Sequence, residues 1–379
     1  MKKVCLASAA LVLGLMSAAP SWGADPAPPT VDRKDAIRPD PAIRRGVLPN
    51  GVRYLLMRNA NPAGAVSARL AMDIGSFQEA DSERGWAHFI EHMAFRSSRH
   101  YPEGSSDHVF SRWGVAFGRD QNAATSLFST IYQLDMPKPD ADQLKVGMTW
   151  LRDVADGVSF TDDAVKRELG VVLAEMQARS NTMLEAQESI SRFQGETLRS
   201  VNRSPIGLAQ TLNAATAVDL KRFYDRWYRP ESAVVIIVGD LDLDQTEALV
   251  RETFNSWIAG GPRPPQPPFE QPRSNRGLEA ITIGGETLPL SAAACRVGPG
   301  AGRPADTIPK RREAIQRLVW QTVLNQRLAR MVNRGDAPLV SSAVMGNDIR
   351  DLSIACMLVV PTGEAWEGAL DAAQVELNR

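Results

Sequence analysis

The sequence predicts an α+β protein of two tandem domains, on three observations. Strand-like alternation and helix-like periodicity are interspersed along the chain rather than segregated. A stretch dense in proline and glycine, residues 261–276, interrupts that pattern. Beyond it a similar order of strands and helices starts again, in a part about half as long. At 379 residues and 44% hydrophobic the chain can bury more than one core. A net charge of −1 provides no basic stripe for nucleic acid.

Lys2 and Lys3 precede an apolar run from Val4 to Ala19, and Ser21, Gly23 and Ala24 provide small residues for cleavage before Asp25. Residues 1–24 therefore read as a secretory signal peptide. The protein is expected to be exported, and periplasmic if its source is a Gram-negative bacterium. No later run reaches about 18 apolar residues, so no membrane span is expected in the mature chain. Residues 25–40 read as a flexible leader, 41–260 as a first domain, 261–276 as a linker and 277–379 as a second domain. That second domain ends inside an amphipathic helix without a stop signal, as in a fragment.

Within the first domain, Gly46 to Met57 reads as a hairpin, with Asn50-Gly51 suggesting a type I′ turn. Val66 to Ile74 alternates like a strand with one buried face. The helix carrying the histidines is expected to start near Ser82, and a further helix to cover 104–113. Strands are expected at 115–126 and 128–135, and helices at 139–155, 161–193 and 217–227. Ala233 to Val238 reads as a buried strand. After the linker, strands are expected near 278–284, 288–297, 339–347 and 352–361, with helices at 309–334 and from Gly363 onward. The mature chain keeps Cys295 and Cys356, which read as two buried free thiols in preference to one disulfide.

The helix at 161 has legible ends and faces. Thr161 can cap it, and Val165, Leu169, Val172 and Met176 form a buried stripe. Glu168 and Glu175 lie two turns apart on one edge of that stripe, half-turned toward the core, where a carboxylate needs a cation partner.

His88-Phe89-Ile90-Glu91-His92 places two imidazoles on one helical face, within reach of one metal ion. Glu91 stands beside them, close enough to act on a water at that metal. H-x-x-E-H is the inverted form of the zinc-protease helix H-E-x-x-H. With four histidines in the whole chain, chance seldom supplies this spacing. A catalytic zinc takes three protein ligands and a water. The missing acid should come from another helix, and Glu168 and Glu175 are the candidates. Two helix histidines satisfied by core or solvent are the bland alternative. His100 and His108 read as surface residues, and Trp86, Phe89 and Phe95 as packing.

Gly85 to Phe95 (GWAHFIEHMAF) resembles the metal-binding segment of the pitrilysin/insulinase family of zinc metallopeptidases. Tyr101 to Gly104 (YPEG), Phe117 to Ser126 (FGRDQNAATS) and Glu168 to Met176 (ELGVVLAEM) resemble its following motifs in the right order. Phe223 to Asp240 (FYDRWYRPESAVVIIVGD) resembles the end of its first domain, and Leu324 to Leu328 a stretch of the second. The resemblance implies tandem domains of the pitrilysin, mitochondrial processing peptidase and LuxS type, with mostly antiparallel sheet flanked by helices and an incomplete second domain. It implies one zinc ion per chain, held by His88, His92 and Glu175, with Glu168 orienting a ligand imidazole. Glu91 would be the general base, and Asn122, Ala123 and Thr125 would contact substrate on an edge strand to which an extended peptide adds.

The implied activity is zinc-dependent endopeptidase or oligopeptidase hydrolysis of extended or unfolded peptides, with 41–260 catalytic and 277–379 non-catalytic. A C-terminal half, on the same or a separate chain, is the implied partner in a clamshell. The gap from His92 to Glu175 is longer than is usual in the family and reads as a loop insertion. Two other functions compete. A non-catalytic scaffold or partner subunit fits the second domain, which lacks the motif. A LuxS-type metallo-lyase shares the inverted motif but not the signal peptide or the second domain.

Overall fold

The computed structural model describes residues 35–273, 276–302 and 305–379. The expected signal peptide and most of the leader lie outside the described residues. So does part of the linker.

Alternating apolar residues in the N-terminal part build a sheet of six strands among the described residues. They are β1 (Ile43–Val47), β2 (Arg53–Arg58), β3 (Val66–Met72), β4 (Gln121–Thr125), β5 (Thr130–Met136) and β6 (Ala233–Gly239). Their order is β1-β2-β6-β3-β5-β4, which leaves β4 at an edge. β2 and β6 run parallel and all the other pairs are antiparallel, so the expected, mostly antiparallel sheet forms. Val66, Ala68, Leu70 and Met72 of β3 and Ala233, Val235 and Ile237 of β6 enter the core. β6, expected to be continuously buried, alternates between buried and half-buried residues.

The helices of this part are α1 (Trp86–Met93), α2 (Ser105–Ser111), α3 (Ala141–Asp156), α4 (Asp162–Arg179), α5 (Thr182–Gly195), α6 (Ala209–Ala214), α7 (Ala217–Trp227) and α8 (Leu243–Phe254). The single helix expected over 161–193 is two. Ser180 turns extended, and Asn181 starts α5 by accepting a hydrogen bond from the Leu184 N–H at 2.9 Å. Asn and Ser compete with helical backbone bonds in this way. α8 was not anticipated, although Asp242 caps it by accepting from the Asp244 and Gln245 N–H groups.

The β1–β2 turn also differs from expectation. Type I′ needs positive φ at both central residues, but here only Gly51, at φ 99°, has it. The Gly51 N–H donates to the Leu48 carbonyl, so Pro49 and Asn50 are the central pair, and Pro49 cannot take positive φ. Asn50 instead ties the turn to α8 by donating to the Phe254 and Trp257 carbonyls.

The C-terminal part has its own sheet, β7 (Ala292–Pro299), β8 (Leu339–Ile349) and β9 (Leu352–Pro361), in the antiparallel order β7-β9-β8. Leu324, Leu328 and Met331 of α9 (Ile308–Arg334) and Ala369 and Ala373 of α10 (Trp366–Leu377) bury a second core against it. The strand expected at 278–284 does not form. That segment is largely exposed, and among the described residues no strand pairs with it.

Cys295 and Cys356, expected as buried free thiols, are joined in a disulfide. They face one another in register across β7 and β9, with Cα atoms 4.1 Å apart. Cys356 is buried but Cys295 is exposed. The sequence shows two apolar strands without showing that they are neighbours in this register. Replacing both cysteines with serine is expected to cost about 2–4 kcal/mol. This would be read as a lower urea midpoint that no longer responds to dithiothreitol. Among the described residues no helix is long and apolar enough to cross a membrane.

Candidate metal centre

α1 carries His88, Glu91 and His92 in its eight residues. It starts at Trp86 rather than near Ser82, where Asp81–Glu83 form a separate 3₁₀ turn. Gly85, the residue before the helix, adopts φ 96° and has no side chain with which to cap it. Glu79 does so instead, accepting from the Gly85 and Ala87 N–H groups, each at 2.9 Å. Glu79 is 0% exposed. Burial pushes its carboxyl up to about 8, against the pull of those amides and Arg203. Gly85 also packs against Gly207, where an added Cβ would stand 2.4 Å from the Gly85 Cα. The helix start therefore admits no side chain at Gly207.

α4 runs beside α1 and brings Glu175 to the histidines. Its Oε2 is 3.2 Å from His92 Nε2 and 3.7 Å from His88 Nε2. The donor atoms of all three lie within 4.8 Å of one another. A tetrahedral zinc with bonds of about 2.0–2.2 Å separates its donors by about 3.4 Å. These side chains thus fit a zinc ion, and the donor set is one that zinc accepts. The other Glu175 oxygen is held by Arg179.

Glu168 Oε1 lies 2.7 Å from His92 Nδ1, and Arg96 holds its second oxygen. Burial would raise the Glu168 carboxyl, but hydrogen bonds from His92 and Arg96 hold it below its usual value. With Glu168 ionised, His92 carries its proton on Nδ1 and presents Nε2 to Glu175. Burial also works to lower His92, but the Glu168 bond and the surrounding carboxylates raise it. Burial, with His92 beside it, drives His88 down to about 4, leaving that ring neutral as a metal ligand must be. His88 Nδ1 is buried and has no hydrogen-bond partner among the described residues.

Glu91 turns toward β4, where its Oε2 accepts from the Thr125 hydroxyl at 2.6 Å. Burial raises its carboxyl and the Thr125 bond works against the rise. Ala123 packs partly against the core. Asn122 stands exposed on the edge strand, donating to the Gly118 carbonyl and accepting from the Ala123 N–H, both at 2.9 Å. His100 pairs with Asp153, 2.9 Å away, and His108 lies on α2. Three residues of this centre escaped sequence reasoning: Glu79, Arg96 and Arg179. Arg96 stands four residues after His92, one turn on, a spacing that could have revealed it.

The family model described as insulinase (peptidase family M16) matches residues 54–202, which hold His88, Glu91, His92, Asn122, Thr125, Glu168 and Glu175. A second, described as the peptidase M16 inactive domain, matches residues 214–304. The chain thus carries domains of the insulinase family, M16. Among M16 relatives, the probable zinc protease PqqL of Escherichia coli (strain K12) is 33% identical over 224 residues, 59% of this chain and 24% of that protein. The crystal structure of the periplasmic protease PqqL from Escherichia coli matches with a TM-score of 0.81 and 26% identity, over 90% of this chain and 38% of that one. The structure of the first half of the same protease matches with a TM-score of 0.78, again at 26% identity, over 90% of this chain and 73% of that one. This M16 chain spans about a quarter of the length of the curated relatives it matches.

Proposed function

We propose that the chain is the metal-binding portion of an exported zinc endopeptidase or oligopeptidase acting on extended or unfolded peptides. One zinc ion would be held by His88, His92 and Glu175. The observation that carries this reading is the convergence of those donors from two helices, with Glu91 on the same turn. The likeness to PqqL, named a probable zinc protease and a periplasmic protease, supports peptide hydrolysis and periplasmic residence. The Cys295–Cys356 disulfide independently suits an oxidising compartment.

Bound zinc would supply Lewis acidity toward a peptide carbonyl and bring the pKa of its water to about 7. Glu91 takes a proton from the attacking water and delivers it to the departing amine nitrogen. Glu168, steadied by Arg96, holds the His92 ring in one orientation. The free edge of β4 receives an extended peptide through backbone hydrogen bonds, and Asn122 and Ala123 line that edge. In this scheme residues 41–260 are the catalytic domain, 261–276 the linker and 277–379 a non-catalytic domain. A C-terminal half, on the same or a separate chain, closes over the substrate.

The test is zinc per chain by plasma mass spectrometry, on the parent and on Glu175→Ala. About one zinc in the parent and a clear loss in the variant are expected. A folded parent without metal would leave the scaffold or partner-subunit reading ahead. That second reading draws on the match of residues 214–304 to an inactive-domain model.

A further inference from the structure

Besides Glu168, which Arg96 and His92 hold, two carboxylates stand next to the paired histidines, Glu175 and Glu91, and nothing in their chemistry makes one a ligand and the other a base. We infer that Thr125 makes the choice, by clamping Glu91 to β4 and keeping it off the metal. The inference rests on the peptidase reading above and assigns Thr125 a positioning role in place of a substrate contact. Glu91 adjoins His92 in sequence, yet it is not among the residues whose donor atoms converge. Its Oε2 is held by the Thr125 hydroxyl at 2.6 Å. The second oxygen is left to face a water.

A buried threonine packs against this clamp from below. Thr125 pairs with Thr130 across β4 and β5, and their Oγ1 atoms are 3.4 Å apart. Thr130 is wholly buried and donates to the Ile74 carbonyl at 2.9 Å. Beneath it, the Tyr228 and Tyr132 hydroxyls hydrogen-bond one another at 2.6 Å. A carbonyl only accepts, so the Thr130 proton is committed to Ile74. The Thr125 proton is committed to Glu91 in the same way. The two threonine oxygens therefore meet in packing contact, with no proton between them. That packing restrains the Thr125 oxygen, and the β-branched side chain has few rotamers with which to escape.

Cobalt(II) uptake tests the assignment, because its visible spectrum reports coordination number without any turnover. The parent is expected to show the strong absorption of a four-coordinate ion. In Thr125→Val the freed Glu91 should join the metal, weakening that absorption and slowing cobalt release to a chelator. For an unstructured peptide, kcat should fall about 10–100-fold with KM nearly constant. Thr125→Ser, which keeps the hydroxyl, should restore both spectrum and kcat. A Thr125→Val chain with the parent's spectrum and kcat would overturn the inference, as would a loss that serine does not rescue. Failure of the peptidase reading itself looks different: the parent takes up no cobalt.

Discussion

Glu91→Gln is expected to lower kcat on an unstructured peptide by about 10²–10⁴ while zinc per chain stays at the parent's level. Glutamine has the same shape and can still accept the Thr125 hydroxyl, so the clamp at 2.6 Å survives. What it cannot do is take a proton. His88, His92 and Glu175, which hold the metal in this reading, are untouched. Turnover of a quenched fluorescent peptide, measured on the sample assayed for zinc, separates the two effects. Parent-level cleavage by the zinc-loaded variant would remove Glu91 as the base. Loss of zinc together with activity would recast it as a ligand.

Glu79→Gln is expected to give a stability penalty that shrinks as pH rises and then reverses. The Glu79 carboxyl is raised from 4.5 to about 8 in the folded chain, chiefly by burial. The unfolded chain therefore loses this proton first. The stability the group contributes is complete below about pH 4.5 and is lost progressively up to about pH 8. A shift of that size corresponds to about 5 kcal/mol at 1.36 kcal/mol per unit. Glutamine does not titrate, but it can accept only one of the two amides, a loss of about 1–3 kcal/mol. The variant should thus be the less stable protein at pH 5 and the more stable one at pH 8, by urea midpoints. A penalty that instead grows with pH would mean that the helix amides and Arg203 outweigh burial.

What was legible in the sequence depended on range. The His88–His92 spacing and the Glu168–Glu175 spacing each lie on one helix, so local periodicity displayed both, and packing of α4 on α1 had only to bring them together. The strands β3 and β6 were legible for the same reason, since their apolar residues repeat at the strand period. Glu79 was not, because a carboxyl six residues ahead of Gly85 caps the helix only through the fold of an irregular segment. The disulfide stayed hidden because cross-strand register between distant segments leaves no local mark. The break at Ser180 and the helix at Leu243 were missed for a different reason. Both are signalled by a single capping side chain, Asn181 or Asp242, which a reading weighted toward apolar periodicity overlooks.

The way α1 is moored also bears on how the centre comes into being. Glu79 reaches the helix from six and eight residues away, Thr125 from 34, and Glu168 from 76. Thr211 lies 125 residues beyond Trp86, whose indole N–H donates to its carbonyl. Most of these are loops of long span, and each must close before the contact it permits can repay the lost chain entropy. An eight-residue helix has little persistence of its own in water. A chain growing from its N-terminus thus has every proposed ligand once Glu175 has been made, but it lacks the floor beneath the helix until Gly207 and Thr211 follow. If these residues take up zinc as proposed, its capture is accordingly expected to be a late and cooperative event in folding, tied to the closing of these long loops.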